Sequence, residues 1–416
     1  MSRLRLRRSL TVNALSLMTA TIATNALGLV FWAEAARLRP PAIVGRAAAA
    51  VAALTLLATI SQLNLTNVFV RLLPTAGRLS MRLVAHGYLA VVTLALVIGT
   101  VYIASGLGTR VVGDGWLAHA AFVLAVSVLA IFALQDSVLT ALRLAPWVTV
   151  ENVSFAATKL ALLPAIVLLP IGGAIVLSWV IPAAVAVVAI TLLLFGRALP
   201  ALAGKEGTLP GRRTMLSFVA GEYLGSLAAT TTVQLMPLIV AWRLGAAQLA
   251  YFTLPWLSSM GITMLLWNVA SSFVVELAGA RAPSRALLHR SLVLWTMVSI
   301  GALAVCVLAA DPLLALAGGR YAVHGAALLR LIGCSIPFSA VVAVYCTLMW
   351  LDRHVWPLAC FQAVSGTALL AATLLLISRL GVAAPGWANL GVQATAAMIA
   401  APLAARRIVS GRLAEA

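Results

Sequence analysis

The sequence predicts an all-α, polytopic membrane protein with about twelve transmembrane helices. The chain of 416 residues is 63% hydrophobic and only 9% charged, and its mean hydropathy is +1.08. A soluble domain carries about 25% charged residues, so a soluble chain could not bury this much apolar surface. The apolar runs are longer than about twenty residues and do not alternate in polarity, which excludes the short alternating strands of a membrane β-barrel.

The apolar runs are separated by polar or basic segments, and these segments locate the ends of each span to within a few residues. Each run is close to the ~20 residues that a helix needs to cross a bilayer, or longer if the helix is tilted. The predicted spans are 11–34, 44–70, 83–106, 116–142, 148–170, 174–196, 214–241, 247–275, 288–309, 325–350, 355–378 and 383–405. An even number of spans puts both termini on the same side of the membrane.

The basic residues indicate which side that is. The net charge is +18, and nearly all of it comes from arginine. If the amino terminus is cytoplasmic, most basic residues fall in cytoplasmic loops, as the positive-inside rule requires. We therefore expect a multi-pass protein of the cell inner or plasma membrane with both termini cytoplasmic. The loop arginines suit anionic lipid headgroups, and we expect no nucleic-acid partner.

The end of the second span carries a polar motif. On a helix, Asn64, Asn67 and Arg71 would lie on one stripe, and Pro74 and Gly77 would then end the helix. A weaker version of this motif recurs about half a chain later. We interpret the recurrence as an internal duplication.

Two pairs of matching residues support the duplication. Asn64 is matched by Asn268, and Phe69 by Phe273, at the same offset of about half the chain length. We therefore expect two related sets of helices in the same orientation. Transporters built from such parallel repeats bind their substrate between the two halves.

The longest polar connection lies in the middle of the chain and contains Gly-Lys-Glu-Gly and Pro-Gly. We interpret it as a cytoplasmic linker, residues 198–213. It would join two pseudo-symmetric six-helix lobes, residues 1–197 and 214–416. Each lobe would be one half of the duplicated unit.

Polar side chains inside spans are costly in a bilayer, so they indicate a transport pathway. They concentrate in spans one, two, four, five, seven and eight, which we expect to face a central polar cavity, whereas the middles of spans three, six, nine and eleven are nearly free of ionisable residues. The candidate cavity residues are Asn25, Asn64, Asn67, Arg71, Arg143, Lys159, Gln234 and Asn268. The candidates for ion or proton coupling are Asp136 and Glu222.

Some of these residues also have ordinary explanations. Arg71 and Arg143 lie at predicted helix ends, where an arginine can reach the headgroups. Asp136 and Arg143 are spaced so that they could pair with each other. Glu151 could lie at the cytoplasmic interface, where a carboxylate favours the start of a helix. By contrast, Lys159 and Glu222 lie well within their spans and need a partner or water.

The sequence lacks the motifs of the common enzyme classes. It contains no Walker A sequence, no HExxH, no GxSxG and no aspartate-rich metal motif. We expect no enzymatic activity, no cofactor and no metal site. The cysteines have no metal-ligand spacing and are expected to be free thiols; they are Cys306, Cys334, Cys346 and Cys360.

Two stretches carry a family resemblance. Asn64–Pro74, which contains Arg-Leu-Leu-Pro, resembles the end of span two in polysaccharide exporters of the multidrug/oligosaccharidyl-lipid/polysaccharide superfamily. Leu313–Leu331, with its Gly-x-x-Tyr and Leu-Leu-Arg, is similar to the segment before span ten of that family. Glu276 and the central linker also fit. Together with the span count, the resemblance covers nearly the whole chain and favours the Wzx-type flippase branch.

The resemblance implies a V-shaped pair of six-helix lobes that works by alternating access. It implies movement of a lipid-linked oligosaccharide, commonly carried on a polyprenyl pyrophosphate, from the cytoplasmic to the outer leaflet. The implied partners are this lipid-linked glycan, membrane lipids and a polysaccharide polymerase or glycosyltransferase. Under this hypothesis Lys159, Arg71 and Arg143 contact the headgroup, while Glu222 and Asp136 couple transport to an ion or proton.

Two alternatives stay open. One is a cation-coupled multidrug efflux transporter of the same superfamily, which usually places more acidic residues in its cavity. The other is a non-transporting membrane scaffold of a polysaccharide assembly complex. A membrane glycosyltransferase is disfavoured because the loop carboxylates are isolated, and a major-facilitator transporter because the loop after span two has no acidic residue.

Overall fold

The computed structural model describes residues 23–113, 115–167, 173–209, 231–279, 285–351 and 355–409, and within them the regular structure is helical, without strands. In chain order the helices are α1 (23–38), α2 (Pro41–Ser61), α3 (Leu65–Ala76), α4 (Ser80–Ala104), α5 (Thr109–Val112), α6 (Trp116–Ala141), α7 (Ala145–Val167), α8 (Ala174–Leu193), α9 (231–244), α10 (Ala246–Gly279), α11 (Arg285–Leu308), α12 (Ala310–Ala315), α13 (Gly319–Leu351), α14 (Val355–Leu380) and α15 (Ala384–Val409). The predicted all-α class is confirmed.

Each predicted span coincides with helical structure in the described part of the chain. Nine stretches of the described residues are long and apolar enough to cross a membrane. Two of these stretches, Leu65–Ala104 and Pro357–Arg407, each contain two consecutive helices. Helices α1 and α9 are described only from residues 23 and 231 onward and are too short there to be counted. The fold is that of a multi-pass membrane protein.

The second span is a broken helix, although the sequence predicted one continuous helix over 44–70. Helix α2 ends at Ser61 and α3 begins at Leu65. Between them, Leu63 and Asn64 have φ angles of 49° and 58°. This left-handed region is unfavourable for residues with a Cβ atom, so two successive residues in it interrupt a helix.

The break changes the predicted polar stripe. Asn64 precedes α3, so only Asn67 and Arg71 lie on that helix. The Asn67 side-chain amide donates a hydrogen bond of 2.9 Å to Oδ1 of Asn64. The prediction that Pro74 and Gly77 end the helix is confirmed only for Gly77, because α3 continues through Pro74 and ends at Ala76 with Gly77 as its carboxyl-terminal cap.

The chain divides into two compact units. The first comprises Met1–Phe31 with Arg46–Leu235, and the second Trp32–Gly45 with Met236–Ala416, insofar as these residues are described. Helix α1 is therefore divided between the units, and so is α9. The predicted lobe boundary and the internal duplication stay predictions, because much of the mid-chain segment falls outside the described residues.

Helix α6 is the centre of the first unit, where it packs against α3, α4, α7 and α8. Close packing depends on small residues. A Cβ atom on Gly87 of α4 would lie 2.4 Å from the ring of Phe69 on α3, and Gly99 brings α4 near Val123 of α6. A larger residue at Gly87 would therefore displace Phe69, which is fully buried.

Helix α13 has the corresponding role in the second unit, where it packs against α10, α11, α12 and α15. Gly333 brings α13 against Cys306 of α11. Asn389 of α15 donates a hydrogen bond of 2.8 Å to Oγ of Ser335 on α13. The second unit is therefore stabilised by the packing of its other helices against α13 and by the buried hydrogen bond between Asn389 and Ser335.

The start of the predicted linker is attached to the first unit. After α8 the chain forms a π-helical turn and then a short 3-10 turn. The backbone N–H of Arg78 donates to the carbonyl of Lys205 (2.9 Å), and that of Thr208 to the carbonyl of Thr75 (3.1 Å). Residues 205–208 thus form a strap across the carboxyl end of α3.

Candidate functional site

Lys159 lies within α7 and is only 5% exposed. Its Nζ atom lies 3.9 Å from the ring centroid of Trp179, 4.8 Å from that of Phe155 and 5.5 Å from that of Phe31. Within the described residues it has no hydrogen bond or ion pair. The negative faces of the rings are therefore the partners of this ammonium group.

Three helices hold these rings, which we call the aromatic cage (Phe31, Phe155 and Trp179). Phe155 lies one turn before Lys159 on α7, Phe31 comes from α1, and Trp179 comes from α8. Trp179 meets the other two rings edge to face, with centroids 6.0 Å from Phe31 and 5.8 Å from Phe155. This mutual packing fixes the ring orientations around Nζ.

Asp136 lies on α6, in the same unit. Its Oδ1 accepts a hydrogen bond of 2.9 Å from the side-chain amide of Asn152 on α7. No ion pair joins Asp136 to Arg143 in the described structure. Arg143 is instead exposed in the turn after α6, with a φ of 61°. The proposed pairing of these two residues is therefore not found.

Glu151 is buried in the first unit, with only 3% of its surface exposed. Neither carboxylate oxygen has a hydrogen-bond partner among the described residues, and the group lies within electrostatic range of Asp136. An ionised carboxylate is costly to bury without partners. Glu151 therefore needs a proton, a cation or a water molecule as its partner.

Two further polar side chains adjoin the carboxyl groups. Gln135 is fully buried, and its amide donates to the carbonyl of Val187 (3.1 Å) and to Oγ1 of Thr191 (3.0 Å). Its Oε1 has no hydrogen-bond partner in the described part of the chain. The Tyr88 hydroxyl lies beside the Gln135 side chain but forms no hydrogen bond with it. The same hydroxyl lies within electrostatic range of the Glu151 carboxyl group. We call Tyr88, Gln135, Asp136 and Glu151 the buried polar cluster.

The sequence identified Asp136 and Glu151 of this cluster but not Gln135 and Tyr88, and it identified none of the cage rings. Gln135 and Tyr88 carry no charge and lie in apolar runs, so hydropathy does not single them out. The adjacency of Gln135 to Asp136 was the available signal. The cage rings come from different helices, and no spacing in the sequence could associate them.

The remaining candidates are dispersed. Asn67 and Arg71 are exposed on α3, while Asn25 on α1 and Gln234 on α9 are half-buried. Asn64 is buried at the break in the second span. Glu222 lies outside the described residues.

Asn268 of α10 belongs to the second unit and is half-buried, and its side-chain nitrogen has no hydrogen-bond partner within the described ranges. The four cysteines are free thiols. No group of three or more potential metal-ligating residues occurs among the described side chains.

This all-helical arrangement is the fold of transporters of the multidrug/oligosaccharidyl-lipid/polysaccharide superfamily. The structure is similar to an inward-facing multidrug resistance MATE family transporter of that superfamily, with a TM-score of 0.69 and 14% identity over 96% of this chain and 99% of that chain. It is also similar to the MATE multidrug transporter DinF-BH, with a TM-score of 0.61 and 17% identity over 97% of this chain and 96% of the other.

A third similar structure is the lipid II flippase MurJ in an inward closed conformation. The TM-score is 0.66, with 11% identity over 92% of this chain and 86% of MurJ. No protein-family model and no curated protein matches the sequence. At such low identities the likeness shows the fold alone. These neighbours are transporters and flippases, and the Wzx-type branch is not distinguished from them.

Proposed function

We propose that this protein flips a lipid-linked oligosaccharide, or a related polysaccharide precursor, from the cytoplasmic to the outer leaflet by alternating access. The observation that carries the proposal is Lys159, a buried cation that meets no carboxylate among the described residues. A pyrophosphate supplies the negative charge that such a group lacks. The fold of a lipid II flippase is compatible with this cargo.

The proposal gives each candidate group a role. Lys159, Arg71 and Arg143 contact the phosphate-bearing headgroup, and the asparagine and glutamine candidates contact sugar hydroxyls. Asp136, with Glu151, couples the cycle to a proton or a cation, as does Glu222. The polyprenyl tail stays in the lipid. A polysaccharide polymerase or glycosyltransferase would act on the same glycan.

Cation-coupled multidrug efflux is the second candidate function. The observation that favours it is the buried polar cluster, in which Glu151 has no hydrogen-bond partner among the described residues and lies within electrostatic range of Asp136. Both functions could use such coupling, so the nature of the cargo separates them.

The test reconstitutes the purified full-length protein in liposomes. One preparation contains a fluorescent polyprenyl-pyrophosphate oligosaccharide, and its movement between leaflets is measured by quenching with an impermeant reagent. A second preparation measures uptake of a fluorescent cationic rhodamine dye. We expect flipping without dye transport, and at least a tenfold loss of flipping in Lys159→Ala. Lys205→Ala is the matched control, since these are the only lysines in the chain.

Dye transport without flipping would replace the proposal by multidrug efflux. Transport of neither compound would support the membrane scaffold. If folded Lys159→Ala flips the lipid-linked oligosaccharide as fast as wild type, Lys159 is not part of the substrate site. The proposed cargo would then still stand.

A further inference from the structure

We propose that the aromatic cage is an ammonium-binding site that the chain fills with its own Lys159, which excludes organic cations from this part of the first unit. The inference concerns what the cage binds, and it does not depend on the proposed cargo. Its basis is the position of Nζ over the rings of Phe31, Phe155 and Trp179.

The geometry is that of a cation-recognition site. All three ring centroids lie within about 6 Å of Nζ, which is the range in which the negative face of a ring attracts a cation. Tryptophan has the most favourable ring for this interaction, and Trp179 is also the nearest. Aromatic cages of this kind recognise ammonium groups in ligands.

No competing anion among the described residues holds Lys159 in place. Two carboxyl groups on neighbouring helices of the same unit, Asp136 of α6 and Glu151 of α7, interact with Asn152, with each other and with Tyr88. Neither carboxylate forms an ion pair with the Lys159 ammonium. The rings are therefore what stabilises the cation inside this apolar unit, and the site would suit any ammonium group of the same size.

The tether explains why free cations are excluded. Lys159 and the cage ring of Phe155 are on the same helix, one turn apart, so the ammonium group has a high effective concentration at the cage. A second cation would meet both an occupied ring face and a like charge. Removing the side chain beyond Cβ should convert the occupied cage into an open site.

The experiment uses the full-length protein in lipid nanodiscs and the variant Lys159→Ala. The deleted atoms correspond to propylammonium, which is the probe, and 1-propanol is its uncharged counterpart. Binding is measured as the saturable rise of the thermal unfolding midpoint with probe concentration. We expect Lys159→Ala to bind propylammonium about tenfold or more tightly than 1-propanol. Wild type and Lys205→Ala should show no saturable effect.

A second variant tests the rings. In Lys159→Ala combined with Trp179→Leu, the cavity stays apolar but loses the nearest ring, and we expect the preference for propylammonium over 1-propanol to disappear. Equal binding of both probes by Lys159→Ala would mean simple cavity filling and would overturn the proposal. Equal binding of propylammonium by wild type and Lys159→Ala would overturn the exclusion.

Lys159→Ala could unfold when it is extracted from the membrane. The comparison is then made on the recovery of monodisperse protein from membranes incubated with each probe. Recovery with propylammonium and not with 1-propanol supports the proposal. Equal recovery with both probes, or recovery with neither, overturns it.

Discussion

Glu151 and Lys159 lie about two turns apart on α7, yet they have different partners. Lys159 is surrounded by aromatic rings, whereas Glu151 lies near Asp136 and has no hydrogen-bond partner among the described residues. At a spacing of about 12 Å along the helix axis, the two charges are too far apart for a direct ion pair. Their separation leaves the Lys159 ammonium and the buried polar cluster as distinct features of the first unit, which agrees with the separate roles that the proposed function gives them.

The role of the buried polar cluster can be tested at Glu151. We expect Glu151→Gln to fold with an unchanged or raised unfolding midpoint, because it removes a carboxyl group that lacks a hydrogen-bond partner in the described structure. Transport driven by a proton or sodium gradient should fall at least about tenfold, since the amide cannot exchange a proton or neutralise a cation. Gradient-driven transport and thermal unfolding are measured on the same preparation.

Glu34→Gln is the control for this change, since Glu34 is a more exposed glutamate that pairs with Arg37. Glu34→Gln should leave the dependence of transport on the proton or sodium gradient unchanged. Gradient dependence that survives in Glu151→Gln would exclude Glu151 from coupling and leave Asp136 and Glu222 as the candidates.

Among the helices and their connections, two features depend on unusual backbone. The break between α2 and α3 puts Leu63 and Asn64 in the left-handed region. The strap at the end of α3 depends on Gly207, where a Cβ atom would lie 1.9 Å from the carbonyl oxygen of Ala76. Both features adjoin α3, the helix that carries Asn67 and Arg71.

The break is tested by substituting valine for leucine. A β-branched residue is poorly tolerated at positive φ, so Leu63→Val should lower the free energy of unfolding by roughly 1–2 kcal/mol. Leu65→Val, at the first residue of α3 and equally half-buried, should have a smaller effect. The free energy of unfolding is measured by chemical unfolding in detergent. Equal destabilisation of the two variants would show that the positive φ at Leu63 does not limit which residue can occupy the break.

The strap is tested by a pair of glycine substitutions. In Gly207→Ala the added methyl group would displace the strap from α3, whereas Gly204→Ala adds a methyl group in open space. We expect faster proteolysis near residue 207 and reduced transport for Gly207→Ala only. The cleavage rate is measured in membrane vesicles, and equal rates in the two variants would mean that the strap does not depend on this close approach.

The complete fold is shared with transporters of different cargoes, so it does not select a cargo. Two multidrug transporters and a lipid flippase resemble this chain to a similar degree. The choice between these functions therefore depends on particular side chains. Lys159 in its cage is the feature of the first unit that bears most directly on the choice, because it places a positive charge where an organic cation could otherwise bind.

The predicted topology is a further property of the entire chain. Epitope tags at each terminus should be digested by protease in inside-out vesicles and protected in right-side-out cells. This follows from the excess of basic residues in the loops assigned to the cytoplasm. Opposite behaviour of the two tags would require an odd number of spans.

The order of amino acids was enough to establish the all-α membrane class and the approximate position of each span, because both follow from the length and spacing of apolar runs. It also marked Asp136 and Lys159, since a charge in an apolar run is visible without a structure. What surrounds those charges emerged only from the packing of the helices. The rings at Lys159 come from α1, α7 and α8, and the burial of Glu151 and the strap on α3 depend on segments that are distant along the chain or packed side by side. Such contacts are set by how helices pack, and neither hydropathy nor spacing records them.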